Sequence, residues 1–177
     1  MCFKIERVLT AESLQQIWAL YESSFPVDER RAYDQLSLLL TNKYAKIYKF
    51  YRANELAGLV VIWEFEAFLF IEHFAVMPKK QNQGIGKNAV SHLIANFQMP
   101  ILLEVEPPFD AQSERRIKFY EGLGFRMLNL EYMQPAYANN KSEVRMKLMA
   151  NVDSISNLTV NEWISQLKRE VYNCQYE

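Results

Sequence analysis

Apolar residues recur along this chain in two rhythms, one alternating and one helical, and they change over at definable points. Phe3 to Leu9 reads as a short strand. Thr10 then stands where an N-cap belongs, ahead of Leu14, Ile17/Trp18, Tyr21 and Phe25 at helical spacing. Pro26 ends that helix, and the charged cluster Asp28-Glu29-Arg30-Arg31 leads into a second one around Asp34 to Leu40. Strand-like runs follow at Lys43 to Arg52, Leu56 to Phe65 and Phe68 to Val76, with Asn54-Glu55 and Glu66-Ala67 as the hairpin turns between them. Helical spacing returns at Ala89/Val90, Leu93/Ile94 and Phe97. It is followed by a strand from Ile101 to Val105, a helix from Ala111 to Leu123, and strands from Phe125 to Met133 and Ser142 to Met149. Beyond a polar break at 151–157, Thr159-Val160-Asn161-Glu162 has capping-box form, and Trp163, Leu167 and Val171 repeat at i, i+4 and i+8. The pattern predicts an α+β (mixed α/β) chain, with hairpins in its first half and crossovers after Val76. Residues 1–150 read as one domain and 151–177 as a linker and amphipathic helix. The apolar stripe of that helix must dock on the core or on a second subunit, so a homodimer is one expectation.

Composition narrows the classes. The chain has 177 residues, half of them apolar and 14% aromatic, which fits one packed domain rather than a disordered segment. A formal charge of −1 offers no general field for nucleic acid or acidic membranes, so neither is expected as a partner. No apolar run reaches the roughly 18 residues of a membrane span, and Met1 to Arg7 lack the apolar core of a signal peptide. These features predict a soluble, cytoplasmic protein. Cys2 and Cys174 lie far apart without metal-ligand spacing, and with two histidines they predict no metal site and reduced, incidental thiols.

Five glycines occur, and four of them sit in two segments, Gln81-Asn82-Gln83-Gly84-Ile85-Gly86 and Phe119-Tyr120-Glu121-Gly122-Leu123-Gly124-Phe125. Glycine is needed where the backbone must reach unusual dihedrals or admit a ligand closely. The first segment follows a predicted strand and precedes a predicted helix. That geometry presents unpaired N–H groups and a positive dipole end to an anion such as a phosphate. Main-chain N–H groups of Gln83, Gly84, Ile85, Gly86 and Lys87 are the candidates, with Lys79 and Lys80 adding charge. A plain tight turn is the structural alternative.

In this element order the two segments resemble motifs of the GCN5-related N-acetyltransferase (GNAT) superfamily. Its phosphate loop reads Gln/Arg-x-x-Gly-x-Gly/Ala, matched by Gln81 to Gly86, and its preceding strand of the form Leu-Ala-Val is matched by Phe74-Ala75-Val76. Its later motif, a Tyr followed four residues on by Gly-Phe, is matched by Tyr120, Gly124 and Phe125. The family often has Arg-Gly where Gln81-Asn82 stand, Asn at Ser113 and a small residue at Arg116, and the link from Glu106 to Gln112 is longer than usual. The resemblance implies a GNAT-like fold with a central, mostly antiparallel sheet flanked by helices. It also implies an acetyl-CoA-dependent N-acetyltransferase that moves an acetyl group directly, in a ternary complex, to a primary amine of a small molecule or peptide. The donor would be held by Phe74, Ala75, Val76, Gln81, Asn82, Gln83, Gly84, Ile85, Gly86, Lys87, Ser113 and Tyr120. A catalytically silent acyl-CoA-binding module of the same fold is the alternative. A nucleotide-binding protein is disfavoured because a full Gly-x-Gly-x-x-Gly is missing.

Such a transfer needs a neutral amine and a proton or hydrogen bond for the departing thiolate. Tyr120 is the candidate acid, since a phenol of pKa about 10 stays protonated at neutral pH, and a packing aromatic with no proton role is the alternative. The resemblance makes Glu72 and Glu104 the candidate bases. Period-two alternation puts Glu72 on one strand face with Phe70 and Phe74 and sends His73 to the other. Reaching the neutral amine at pH 7 costs about 4.6 kcal/mol for a lysine and about 1.4 kcal/mol for an α-amine. The resemblance further implies that Arg30, Arg31, Tyr132, Gln134 and Tyr137 lie beside the acceptor, with Glu106 a further candidate there.

Overall fold

The computed structural model describes residues 3–173, so Cys2 and Cys174 lie outside the described residues. The chain forms two compact units, one of residues 1–26 with 30–99 and one of residues 27–29 with 100–177.

In the first unit, strand β1 (Phe3–Arg7) is followed by helix α1 (Ala11–Ser24) and helix α2 (Tyr33–Leu38), which tightens into a 3₁₀ turn at Leu39–Thr41. Thr10 caps α1 as its sequence predicts, its hydroxyl accepting from Ser13 N at 3.2 Å. Leu14, Ile17 and Tyr21 on that helix are fully buried. Strands β2 (Ala45–Arg52), β3 (Glu55–Glu64) and β4 (Leu69–Val76) then run as an antiparallel meander, with β1 paired to β2. The first hairpin turns at Ala53-Asn54, one residue earlier than expected. Both residues have positive φ (51° and 63°), the left-handed pair that a two-residue turn between twisted strands requires. The second turns at Glu66-Ala67 as predicted, closed by Phe65 N donating to Phe68 O at 3.0 Å. Helix α3 (Ile85–Phe97) completes the unit.

Two bulges shape this meander. One lies opposite Phe50 and Tyr51 of β2, where Ala57 of β3 is the extra residue, the other where the β3–β4 register passes from Ile62↔Ile71 to Val61↔His73. Glu72 is the residue left over at the second. Gly58, the one glycine outside the two motifs, has a packing role. A Cβ there would sit 2.2 Å from the Phe50 ring and 2.3 Å from Ala75 O.

The second unit holds the short turn Val27–Glu29, strand β5 (Ile101–Val105), helix α4 (Ala111–Glu121), strands β6 (Arg126–Met127), β7 (Tyr132–Gln134) and β8 (Val144–Ala150), and helix α5 (Asn157–Gln166). Strand β8 pairs antiparallel with β5, β6 and β7. The strand expected from Phe125 to Met133 is therefore two. Five steps from Met127 to Tyr132 face three on β8, from Met149 to Met146, so the excess residues leave the ladder. Helix α5 starts three residues before the predicted capping box, because Ser156 rather than Thr159 is the cap, accepting from Thr159 N at 3.1 Å. It ends in a π-helical turn, Leu167–Val171, and Val160, Trp163, Leu167 and Val171 are all buried.

Gly58→Ala tests the packing of the first unit. It is expected to lower stability by about 2–3 kcal/mol, the cost of overpacking a filled site. The change should appear in urea titrations as a lower midpoint with an unchanged slope.

Candidate active site

The expected site residues are divided between the units. The first carries the glycine loop, the end of β4, Arg30, Arg31 and Glu72. The second carries Glu104, Glu106, Ser113, Tyr120, Tyr132 and Gln134.

The loop folds as its glycines suggest. Asn82 and Gly84 both have left-handed backbone (φ 61° and 76°), and Gly84 is the N-cap of α3 with no side chain capping the helix. A Cβ at Gly84 would meet nothing within 4 Å, so conformation rather than space calls for glycine there. Ile85, Gly86 and Lys87 form the first turn of α3, where N–H groups have no intrahelical acceptor. Arg52 Nη1 donates to Gln83 O at 2.8 Å and ties the loop to the first hairpin.

Main-chain direction at the end of β4 follows from the ladder. Met77 N donates to Ala57 O at 2.9 Å, which makes Ala57 and Met77 a hydrogen-bonded pair. With Gly58↔Val76, Leu59↔Ala75 and Val60↔Phe74 in register, the antiparallel alternation turns the N–H and C=O of Ala75 toward β3. It turns those of Phe74 and Val76 away from β3. Gln81 Nε2 reaches back to Val76 O at 3.2 Å. The side chains of Phe74 and Val76 pack in a cluster with Ile85 and Ala89 of α3.

Glu72 has a different environment from the one its alternation predicts. Its Oε1 accepts from Arg31 Nε at 2.8 Å and its Oε2 from Trp63 Nε1 at 2.7 Å, and its side chain is 0% exposed. His73 Nδ1 lies 3.8 Å from the same carboxylate instead of on the opposite face, because Glu72 is the bulged residue. Arg31 also lies over the Trp63 ring, and its main-chain N–H donates to Tyr21 Oη at 2.9 Å. Burial first, then the charge of Glu72, pushes the Tyr21 hydroxyl far above the ordinary phenol range. Arg30 pairs with Glu22, through the Oε1 at 3.5 Å and the main-chain carbonyl.

In the second unit the later glycine motif resolves into a helix cap. Gly124 has φ 88°; its N–H donates to Glu121 O at 3.0 Å, and Phe125 N donates to Tyr120 O at 3.1 Å. These two bonds, with a left-handed glycine between them, form a Schellman motif. The Tyr120 and Phe125 rings meet edge to face at 5.6 Å, the apolar contact that accompanies such a cap. Tyr120 is thus held at both backbone and ring, 6% exposed, and burial raises its hydroxyl to about 12 against the smaller opposing pull of Arg116. Ser113 takes part in the other end of α4. Asp110 Oδ1 accepts from Ser113 N at 2.7 Å, and Ser113 Oγ accepts from Phe109 N and Asp110 N at 3.2 and 3.1 Å.

Glu104 on β5 gathers phenols. Tyr132 Oη donates to its Oε1 at 2.5 Å, and Tyr172 Oη lies 2.8 Å from Oε2 and 3.0 Å from Oε1. Gln134, two residues beyond Tyr132 on the same short strand, is 2% exposed. Glu106 is paired with Arg116. Burial first, then the Glu106 charge, raises the Glu29 carboxyl. Among the described residues no cluster of His, Cys, Asp and Glu could hold a metal ion, and no helix is long and apolar enough to cross a membrane.

The model of the acetyltransferase (GNAT) family matches residues 13–125, more than half of the chain. The chain belongs to the GNAT acetyltransferase family. A Bacillus subtilis (strain 168) protein named "Putative acetyltransferase YjbC" is 28% identical over 120 residues, 66% of this chain and 60% of that relative, so the match spans well under two thirds of the relative's length. Among solved structures, a "Putative acetyltransferase from GNAT family" of Bacteroides thetaiotaomicron superposes with a TM-score of 0.87 at 27% identity, covering 97% of this chain and 99% of that one. A Bacillus subtilis acetyltransferase solved in complex with CoA shares the fold at a TM-score of 0.58 and 20% identity, over 87% and 100% of the two chains.

For this GNAT chain the geometry separates the two expected bases. Glu72 is enclosed by Arg31 and Trp63, whereas Glu104 is held by hydroxyls. Sequence reading missed Trp63, Arg52 and Tyr172 as partners of site residues. They lie 9, 31 and 68 positions from Glu72, Gln83 and Glu104, and no local pattern links them.

The raised Tyr120 hydroxyl has a measurable consequence. Its pKa is higher folded than unfolded, so the contribution is intact below pH 10 and is lost as the pH climbs from about 10 toward 12. Tyr120→Phe removes the titrating group. Its urea stability should fall less steeply than wild type across that window, by on the order of 2–3 kcal/mol at the upper end; parallel curves would contradict the buried, raised phenol.

Proposed function

We propose that this chain is an acetyl-CoA-dependent N-acetyltransferase acting on a primary amine of a small molecule or peptide by direct transfer. The observation that supports it most is the pairing, within one unit, of an uncapped helix start with outward main chain at Phe74 and Val76. Those groups match a coenzyme A donor, with a pyrophosphate for the N–H groups of Gln83 to Lys87 and pantetheine amides for β4. The donor supplies an acyl carbon activated as a thioester.

In this reading Glu104 takes one proton from the acceptor ammonium and passes it to solvent, leaving a neutral amine to form the C–N bond as the C–S bond breaks. Tyr120 donates its hydroxyl hydrogen to the departing sulfur. Complete transfer from a phenol near 12 to a thiolate of parent pKa about 8.5 is uphill by roughly 5 kcal/mol. Tyr120 therefore acts first as a hydrogen-bond donor, and its proton leaves only as the second proton of the acylated nitrogen replaces it. The carboxylates of Glu104 and Glu106 and the nearby Asp28 and Glu29 favour a cationic acceptor.

The direct test is a thermal-shift titration with acetyl-CoA and CoA, using NAD and ATP as controls. Stabilisation that grows with the CoA species alone is expected, and Gly86→Glu should abolish it while leaving the fold. An equal response to NAD and ATP, or none to CoA, would remove the assignment. The two glutamates should differ in kind. Glu104→Gln is expected to lower kcat/KM by about 10²-fold or more with an unchanged melting temperature. Glu72→Gln should instead cost about 3 kcal/mol or more of stability, because it disrupts a buried ion pair. The reverse pattern would return the base role to Glu72.

A further inference from the structure

The C-terminal helix does more than cover apolar surface, because it delivers a hydroxyl to Glu104. Tyr172 follows the π turn of Leu167–Val171, and its N–H donates to Leu167 O at 3.2 Å, five residues back. That bond stacks residue 172 over Leu167. In a continuing α-helix, five residues at about 100° each would carry it roughly 140° away around the helix. The wide turn keeps Tyr172 on the buried seam of Trp163, Leu167 and Val171, and Tyr172 is itself 6% exposed. Its ring is held against Tyr137 at 5.1 Å, and its hydroxyl spans both oxygens of Glu104, at 2.8 and 3.0 Å. Tyr132 donates to Oε1, and the Tyr172 hydroxyl reaches Oε2.

We propose that Tyr172 is a positioning residue for the acetyl transfer, fixing the rotamer from which the Glu104 carboxylate takes the acceptor's proton. The inference rests on the reading of Glu104 as base. It makes α5 and its π turn part of the acceptor side of the enzyme. A hydrogen bond to a carboxylate from a pre-oriented ring restrains both torsion and charge. Losing it removes one of the restraints on the orientation of the carboxylate. The chemical step is unchanged: one proton moves from the ammonium nitrogen to a Glu104 oxygen and on to solvent, and Tyr172 keeps its own.

The test compares wild type, Tyr172→Phe and Glu104→Gln, with an alanine-terminated tripeptide amide and spermidine as acceptors and thiol release as the signal. Tyr172→Phe should lower kcat about ten-fold at pH 7, with acetyl-CoA affinity within error of wild type and a melting temperature lowered by no more than a few degrees. The deficit should shrink as the pH approaches the acceptor's own amine pKa, where less deprotonation is needed; loss of packing alone would give a deficit independent of pH. If Glu104→Gln is impaired while Tyr172→Phe matches wild type, or shows a pH-independent deficit tracking its melting temperature, the positioning role is overturned and the base reading stands. If Glu104→Gln retains full activity, or wild type acetylates neither amine, the reading beneath the proposal falls with it. Should Tyr172→Phe fold poorly, Tyr172→His, which keeps a ring and a donor, must restore more activity than Tyr172→Leu for the proposal to hold.

Discussion

One extra residue in β4 sets much of what the first unit can do. On the hairpin side of Glu72, Phe65 and Phe68 form a hydrogen-bonded pair, and the register runs through Ile62↔Ile71. Continued without interruption, that register would turn the main chain of Phe74 and Val76 into β3 and leave Ala75 facing outward. The bulge reverses the parity. Ala75 is committed to Leu59, while Phe74 and Val76 keep their N–H and C=O groups for something other than β3. The same residue, displaced from the ladder, is the one whose carboxylate anchors Arg31 and Trp63. Bulges re-aim side chains at functional places, and this one also reverses which residues of β4 turn their main chain to β3.

The two glycine segments solve different problems. At Gly84 the left-handed conformation opens a helix with its first N–H groups unclaimed by any capping side chain. At Gly124 it closes a helix, spending Tyr120 O and Glu121 O on a Schellman cap. The second arrangement supplies rigidity: Tyr120 is fixed by its carbonyl, by Phe125 against its ring, and by burial that keeps the phenol protonated far above neutral pH. Structural and chemical accounts of this motif are therefore compatible, since a donor that must be aimed is best placed where the backbone cannot yield.

Much of this was legible in the chain because the signals are local. Thr10, the turn at Glu66-Ala67, the glycine loop and the strand Ile101–Val105 all depend on a few neighbouring residues, and each is found where the pattern puts it. The failures are non-local. Alternation predicts faces only while the register is unbroken, so the bulge at Glu72 overturned the placement of Glu72 and His73. The slack between Met127 and Tyr132 split an expected strand for the same reason. Ser156 displaced Thr159 as the cap, its hydroxyl accepting from Thr159 N. Tyr172 reaches Glu104 only through a π turn, which no helical periodicity announces.

The measurement closest to the centre of this account is residue-resolved amide hydrogen exchange, by NMR, with and without CoA. The parity of β4 predicts slower exchange on CoA binding at Val76 and in the first turn of α3 at Ile85, Gly86 and Lys87, with Ala75 unchanged because its N–H is already bonded to β3. New protection at Ala75, or none at either the strand end or the helix start, would contradict the claim that this bulged strand and uncapped helix form the donor platform.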